Sequence, residues 1–409
     1  PPWNDWLKAD RPTIQTTRTS GAMPCGGYVI NTDDVVAALD AVAARTHLDV
    51  RQQLAARKYD TLCEHRQKLR ALEARALAMV GRVDYTRFTP TMRPCSPRDS
   101  HLWNYYRHVI SSAPGYAMVG RQQRFFVFDA RSGGVLGITS LNSDLNALGP
   151  RDRHIGWDRE RKFHNGLNYI AAMHTCVGVA PFGRLTGGKY MTTAILSDEV
   201  RRWWQARYCD PMLAASTTSL FGKSSQYNRL REWAYLGLTP GMGVAAITSA
   251  ERRVLRRYLA QQFDSVAVQG SMHGAGAFEQ LEKVSGAVGY DMQKLMSNAP
   301  KGVYFAAVHA DSLAALRGDI DASRVDSTPT RSLADVGEWW WDRWGSMRFG
   351  KFKDEVVEWD TNIYRVDAAI HRAEEAIAKS CVASDTSDTP TVQVGEAGAT
   401  PSAALHLAP

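Results

Sequence analysis

Hydrophobic positions follow two different periods along the chain. Between residues 35 and 80, apolar residues recur at helical spacing, and Asn31 just before this run has the side chain of a helix N-cap. From residue 124 onward, shorter apolar runs appear, first at 124–129 and 135–141 around a Gly-Gly turn. The pattern predicts an N-terminal helical region followed by a core that contains strands.

The middle of the chain alternates between strand and helix patterns. Apolar runs predict strands over 169–181 and 211–219, and a helix is expected over 189–208 between them. A second helix is expected over 224–234, ending at Tyr235-Leu236-Gly237. Residues 142–168 are polar and are predicted to form a loop. Farther along, Thr248 and Glu251 have the spacing of a capping box, 302–309 has a strand pattern, and 362–379 has a helix pattern.

These patterns divide the chain into five parts and predict an α/β (α+β) fold, with a mixed sheet flanked by helices. A polar arm, rich in breaking glycines, covers 1–32, and a helical N-terminal region covers 33–115. The core covers 116–245, and a helical, Trp-rich extension covers 246–380. The Ser-, Thr- and Ala-rich tail, 381–409, is expected to be disordered.

Composition narrows the class of protein. The 409 residues are 44% hydrophobic and 22% charged, and no stretch approaches the ~20 apolar residues of a membrane-spanning helix, so no membrane partner is expected. Six scattered cysteines without a C-x-x-C pair favour reduced thiols and a cytoplasmic location, and they argue against zinc. The net charge of +7 suits a polyanion such as DNA, although a mildly basic enzyme would carry it as well.

A glycine pair marks the first candidate site. Gly187 and Gly188 come directly before the helix expected at 189–208, with Lys189 after them and Arg184 shortly before them. Bare N–H groups at a helix start bind phosphate, and the flanking cations add to that attraction. A purely structural turn gives the same pattern, so two interpretations are open.

Hydroxyl groups and a tyrosine mark the second candidate site. Four consecutive hydroxyl residues, 216–219, end a predicted strand, where α/β folds gather their reactive groups. Of these, Ser216 and Ser219 are the catalytic candidates. Tyr227 begins the next predicted helix, so its phenol is expected to face the same cleft. Asn228 and Arg229 follow it as candidates for contacts to a nucleic acid.

Three further groups of residues complete the candidates. Asp144, in the polar loop, is a candidate general base, and Trp157 in the same loop is a candidate for base stacking. No metal site is predicted, because the acidic residues and histidines of this loop have no ligand spacing. Arg252 and Arg256 on the capped helix are expected to contact phosphates. The tryptophans at 339–344 either stack bases or join two packed units.

Taken in order, these segments resemble the GNAT (N-acyltransferase) fold. That resemblance implies a central strand, a pyrophosphate-binding turn and helix, a strand that splays from its neighbour, and an aromatic-x-x-x-Gly motif, here Trp233 to Gly237. Within that fold, 134–137, 204–208 and 227–241 resemble the Druantia-type anti-phage protein A family and its phage-encoded relatives. The Ser216 strand, Gly222, Tyr227 and the closing Tyr-x-Gly resemble the phage Mom DNA-modification proteins, although the acidic residue that follows Mom's serine is absent.

The resemblance implies a transferase that modifies an amine, in particular one on a DNA base, in a phage or anti-phage setting. Acyl-CoA or another acyl donor is the implied cofactor, and Tyr227 is the implied proton donor to the leaving thiolate. The turn from Arg184 to Lys189 departs from the usual acyl-CoA pattern. Two alternatives therefore stay open, namely a non-catalytic nucleic-acid-binding protein on the same scaffold and a virion-associated structural protein.

Overall fold

The chain forms a mixed α/β structure around a seven-stranded sheet, which confirms the predicted fold class. The computed structural model describes residues 30–46, 50–83, 88–112, 120–164, 166–179, 182–183, 188–220, 222–240, 242–244, 247–263, 275–326, 329–357 and 364–383. The strands are β1 (Pro90–Pro94), β2 (Gln122–Asp129), β3 (Val135–Ser143), β4 (Ile170–Gly178), β5 (Ala214–Ser219), β6 (Ala234–Leu238), β7 (Met242–Val244), β8 (Met296–Asn298) and β9 (Gly302–Ala307).

Helices cover both sides of the sheet. No helix in the described ranges is long and apolar enough to cross a membrane. The helices are α1 (Thr32–Ala44), α2 (Val50–Val80), α3 (Ser100–Ile110), α4 (Gly149–Ile155), α5 (Arg159–His164), α6 (Lys189–Ala194), α7 (Asp198–Tyr208), α8 (Ser249–Gln262), α9 (Ala275–Val288), α10 (Ser312–Arg317), α11 (Ala322–Asp326), α12 (Leu333–Trp340), α13 (Ser346–Val357) and α14 (Val366–Ala383).

The order of strands in the main sheet is β1-β2-β3-β4-β5-β9-β6. Neighbouring strands are antiparallel except for β4 and β5, which are parallel. Strands β7 and β8 form a separate antiparallel pair. The parallel pair joins an antiparallel half from the first part of the chain to a second antiparallel half, so it lies at the centre of the sheet.

The two faces of the sheet bury different groups of residues. One face, which we call the tryptophan face, packs Trp204, Trp233, Trp340 and Trp344 against side chains of the strands, together with α6, α7 and α12. The opposite face is covered by α2 and α3 at one half and by α4 and α10 at the other. Because Trp340 is 0% and Trp344 8% exposed, these two indoles join the C-terminal extension to the core.

A third cluster of buried residues joins α1 to α8 and α9. Both capping predictions are confirmed, since Asn31 caps α1 and the Thr248–Glu251 capping box starts α8. Arg45 pairs with Glu251, which ties the end of α1 to the start of α8. The predicted helical run therefore forms two helices, of which α1 packs on elements that lie two hundred residues later.

The basic residues of α2 are largely engaged within the protein. Arg66 and Arg70 both pair with Asp367 of α14, and Arg75 pairs with Asp99. The Lys58 ammonium donates to the backbone carbonyls of Val109 and Ser111 at the end of α3, and burial, followed by the charge of Arg372, lowers its pKa to about 8. Four cations of α2 therefore have partners within the protein.

The prediction of a helix over 224–234 is wrong. Residues 225–229 form turns, and the segment Ala234–Leu238, where the helix was expected to end, is strand β6. The strand pairs with β9, and its register shifts between Tyr235 and Gly237, whose φ is 104°. Non-local pairing with a strand more than sixty residues away overrides the local helix pattern.

Other boundaries also differ from the sequence predictions. The helix expected over 189–208 is broken into α6 and α7, and the polar loop 142–168 contains α4 and α5. The sheet extends beyond the predicted core 116–245, because β1 precedes it and β9 follows it. Helix α14 continues to Ala383, into the predicted disordered tail. The rest of that tail and nearly all of the predicted N-terminal arm lie outside the described residues.

We expect Trp340→Ala to lower the free energy of unfolding by about 3 to 5 kcal/mol, because it leaves a cavity between α12 and the sheet. Met347→Ala is the matched control, since Met347 is 68% exposed, and its change should stay within about 0.5 kcal/mol. Urea denaturation followed by tryptophan fluorescence measures both. Equal effects of the two substitutions would contradict the joining role of Trp340.

Candidate active site

Strands β4 and β5 run parallel but pair over only three residues each. The paired residues are Ile170, Ala171 and Ala172 of β4 with Ala214, Ala215 and Ser216 of β5. Strand β4 continues to Gly178 and β5 to Ser219, while their outer edges stay paired with β3 and β9. The two strands therefore diverge at the centre of the sheet. We call the gap beyond Ala172 and Ser216 the slot.

The hydroxyl groups of β5 do not all face the same side of the slot. Ser216 lies opposite Phe305, whose cluster is on the face away from the tryptophans, whereas Thr217 lies opposite Tyr304 on the tryptophan face. Because side chains alternate along a strand, Ser219 shares the face of Thr217. Ser216, which was expected to share a cleft with Tyr227, therefore lies on the other face of the sheet from Thr217 and Ser219.

Tyr227 reaches the slot from the turn before β6. It is 7% exposed, and its ring centroid lies 4.5 Å from that of Tyr304. Its phenol hydrogen bonds the Thr217 hydroxyl, which in turn donates to the backbone oxygen of Met173 at 2.8 Å. Burial, followed by the nearby Cys176, raises the pKa of Tyr227, so the phenol keeps its proton at neutral pH.

Cys176 is a residue of the slot that sequence reasoning missed. Its Sγ lies 3.8 Å from both the Gly188 carbonyl oxygen and the Thr192 hydroxyl, and it also hydrogen bonds Gln226. Burial raises the pKa of this thiol to about 12. An isolated cysteine inside an apolar strand has no sequence signature, so only the fold shows its position.

Gln226 closes the slot over this thiol. Its amide nitrogen donates to the Thr192 hydroxyl at 3.2 Å, and a Cβ added at Gly188 would lie 2.9 Å from the Gln226 side chain. Gly188 also has φ +73°, a conformation that favours glycine. The structure therefore explains this glycine by close approach of a side chain, in addition to its turn.

Lys189 does not project freely toward a ligand, which corrects the sequence expectation. Its side chain is buried, and its ammonium donates to the backbone oxygens of Ser225 at 2.8 Å and Asn228 at 2.5 Å. In this role it holds the turn that carries Tyr227 against α6. Arg184 and Gly187, the other predicted donor-binding residues, lie outside the described residues.

Asp144 is not placed as a general base for this site. Its carboxylate forms an ion pair with Arg151 at 2.7 Å, and both side chains are almost fully buried. The residue follows β3 and lines a cavity of about 250 Å³ with Arg121, Phe163 and Asn168, near the paired start of β4. A buried carboxylate with a bound guanidinium is a structural ion pair, and it lies away from the diverging ends of the strands.

Of the residues predicted to contact nucleic acid, some have hydrogen-bond partners within the protein and others are exposed to solvent. Trp157 donates its indole N–H to the Leu316 carbonyl at 2.8 Å and lies against Gly166, so its ring packs within the protein. Arg252 is half-buried and donates to a backbone carbonyl before α8. The exposed members are Asn228, Arg229 and Arg256.

His174 lies on β4 beside the slot, next to Arg107 of α3. Its Nδ1 is 3.4 Å from two nitrogens of the Arg107 guanidinium, which also donates to Thr175. Burial, followed by the positive charges of Arg107 and Lys301, lowers the pKa of His174 to about 4. The ring is therefore neutral at physiological pH, and its contacts are those of a histidine that serves the packing of β4 against α3.

The arrangement gathers a proton donor, a hydroxyl and a thiol between two separated strands. Within the described ranges, no group of three or more His, Cys, Asp or Glu side chains is placed to hold a metal ion. The chemistry that the slot can carry out with its own side chains is proton transfer from the Tyr227 phenol through or beside Thr217.

We expect stability to depend on pH through His174. Its pKa is about 4 in the folded protein against an ordinary value of 6.5, so the unfolded chain binds more protons between these values. The contribution of His174 to the free energy of unfolding should be fully present above pH 6.5. It should be lost as the pH drops toward 4. Urea melts across this range measure it. His174→Gln should reduce the slope of the free energy of unfolding against pH by the equivalent of about one bound proton. An unchanged slope would contradict the shifted pKa.

We expect Asp144→Asn to lower the free energy of unfolding. It leaves the buried Arg151 guanidinium without its full counter-charge, which costs about 3 to 5 kcal/mol when one partner of a buried pair is lost. Denaturant titration measures this cost. Lys283→Gln, in an exposed pair with Glu279, is the control and should cost under about 1 kcal/mol. A variant as stable as the original would return Asp144 to the functional candidates.

Comparison with known proteins identifies the family. The family model for the Druantia protein DruA matches residues 51–318, which include all nine strands. The chain is similar to the Druantia protein DruA of Escherichia coli (strain UMEA 4076-1), with 27% identity over 194 residues. That match covers 43% of this chain and 48% of the relative, so it spans about half the length of each. No solved structure matches the chain. Because the family model covers well over half of its length, the chain belongs to the Druantia DruA family.

Proposed function

We propose that this protein is a GNAT-like transferase that modifies an amine, in particular one on a DNA base, in anti-phage defence. The observation that carries the proposal is the divergence of β4 and β5 with the Tyr227 phenol bound inside the gap. A splayed parallel pair leaves backbone groups without partners in the sheet, and an acyl-amide arm can use them. Membership in the Druantia family supports the defence setting.

In the proposed reaction, the amine nitrogen attacks the carbonyl carbon of a thioester donor. A C–N bond forms, the C–S bond breaks, and the amine loses one proton to solvent. The thiolate that leaves takes the proton that the Tyr227 phenol carries at neutral pH, and the resulting phenolate regains a proton from solvent. Thr217 orients the phenol, since its own hydrogen is committed to the Met173 carbonyl.

The surface beside the slot suits a nucleic acid. Asn228 and Arg229 are exposed on the turn that directly follows Tyr227, and the whole chain has a net charge of +7. A base in a duplex is out of reach of a buried phenol, so the target base has to leave the stack or belong to a single strand. Its entry requires the 225–229 turn to move.

A second candidate function is nucleic-acid binding without chemistry. The closure of the slot favours it, because Gln226 covers Cys176 and Lys189 holds the same turn in place. In this case the turn stays closed, and the scaffold only positions the exposed basic residues. The two candidates differ in whether DNA leaves the protein chemically changed.

The test is a search for modified nucleosides. We expect DNA incubated with the protein and host extract, then digested, to contain a nucleoside of new mass. Tyr227→Phe and Thr217→Val should each lower its yield by about 100-fold, because the first removes the proton donor and the second removes the hydroxyl that orients it. Ser216→Ala is the matched control, since Ser216 lies on the same strand but on the opposite face.

Each outcome separates the candidates. Loss of the new mass in both slot variants, with Ser216→Ala active, supports the transferase. DNA binding by the unaltered protein without any new nucleoside favours the second candidate. Loss of the product only in Ser216→Ala would place the chemistry on the other face of the sheet.

A further inference from the structure

Two cations lie against one indole ring near the slot. Trp344 is in a π-helical turn, Trp341–Gly345, and is 8% exposed. The Lys189 ammonium is 5.1 Å from the centroid of its ring, and the Arg343 guanidinium carbon is also 5.1 Å from it. The C-terminal extension therefore brings a positive side chain to the start of α6, beside the turn that carries Tyr227.

Two further arginines act on the same lysine. Arg229 directly follows Asn228, whose carbonyl accepts the Lys189 ammonium, and Arg348 lies four residues after Trp344 on α13. After burial as the larger cause, the positive charges of Arg348, Arg229 and Arg343 help to lower the pKa of Lys189 to about 8. We call the three arginines, Arg229, Arg343 and Arg348, the cation patch; Lys189 lies beneath it, held by the turn.

Carboxylates do not neutralise the exposed part of the cation patch. Within the described part of the chain, Arg229 and Arg343 take part in no ion pair, and both side chains are exposed. Glu232 follows on the same turn, but it pairs with Arg331, whose guanidinium lies 4.7 Å from the Trp339 ring. Like charges held together in this way repel one another, and an external anion relieves that repulsion.

The backbone of Arg229 gives an independent observation. Its φ is +66°, a left-handed conformation that side chains other than glycine, asparagine and aspartate seldom adopt. Glycine would satisfy this turn at lower energy, so the arginine is held there by its surroundings despite the strain. Such strain at an exposed arginine indicates a use for the side chain itself, beyond the folding of the turn.

We propose that the cation patch binds phosphoryl groups at the mouth of the slot. Arg343 and Arg348 lie beyond the residues that the family model matches, 51–318, so the C-terminal extension supplies two arginines of the site and the matched region supplies Arg229. The phosphoryl groups can come from a nucleic-acid backbone or from a nucleotide-containing acyl donor. The identity of these two sources rests on the proposed function. The existence of the site is inferred from the arrangement of the cation patch alone.

The test compares binding of two probes to the full chain, namely a fluorescent 15-nucleotide oligothymidine and coenzyme A. The variant is Arg229→Gly with Arg343→Gln. Glycine suits the backbone at position 229, so its melting temperature should be unchanged or higher, and loss of folding does not confuse the result. We expect the variant to weaken one of the two probes by about tenfold or more.

Salt dependence and a matched control complete the experiment. If the oligonucleotide is the occupant, the slope of log Kd against log salt should fall by roughly 1 to 2 in the variant. Arg131→Gln, at an exposed turn between β2 and β3, removes a charge elsewhere and should leave both affinities unchanged.

Each outcome supports or overturns the proposal, and weaker binding of both probes supports the site with both sources. Weaker oligonucleotide binding alone supports the site with nucleic acid as its source, and weaker coenzyme A binding alone supports it with the donor as its source. Unchanged affinity for both probes, or no binding of either by the original chain, would overturn the proposal. None of these binding results depends on turnover, so the nucleoside assay judges the transferase separately.

Discussion

The structure depends on one constraint at the centre of its sheet: two parallel strands stop pairing after three residues. Buried backbone groups need hydrogen-bond partners, so strands that separate inside a protein must satisfy those groups in another way. Here Thr217 extends its hydroxyl across the gap to the Met173 carbonyl, and Tyr227 completes the chain of hydrogen bonds. The same side chains that make the divergence tolerable are those that the proposed chemistry uses.

Packing on the tryptophan face keeps this gap in place. Trp233 donates its indole N–H to the Thr192 carbonyl, and Lys189 holds the carbonyls of the 225–229 turn. Trp340 and Trp344 then fix the C-terminal extension over α6. The extension therefore lies beside the turn that carries Tyr227, because its Trp344 ring is 5.1 Å from the Lys189 ammonium that holds this turn.

Much of the architecture follows from local sequence. The hairpin β2–β3, the hydroxyl-rich strand β5, the strand β9 and the caps at Asn31 and Thr248 lie where the patterns predict them. Strand β6 was missed because its pairing with β9 depends on contacts distant in sequence, which no local window records. The alternation along β5 was available from the sequence, since a period of two places Ser216 and Thr217 on opposite faces.

The site itself is less accessible to sequence reasoning. Tyr227 lies on a turn, where the start of a helix was expected, and its hydroxyl neighbour on β5 is Thr217. Asp144 was a reasonable base by residue type, and only the structure shows Arg151 bound to it. Cys176 and Gln226 have no motif, because their importance comes from how β4, α6 and the 225–229 turn approach one another.

The central claim is that side chains seal a real gap between β4 and β5, with Cys176 beneath the Gln226 side chain. Its most direct measurement is the rate at which N-ethylmaleimide labels each cysteine, resolved by peptide mass spectrometry. Cys63 and Cys209 are exposed and serve as internal standards. We predict that Cys176 is labelled much more slowly than both standards, because its pKa is raised to about 12. We also predict that Gln226→Ala increases the labelling rate of Cys176 and leaves the rates of the two standards unchanged. A Cys176 that reacts as fast as the two standards, or that does not respond to Gln226→Ala, would contradict the account.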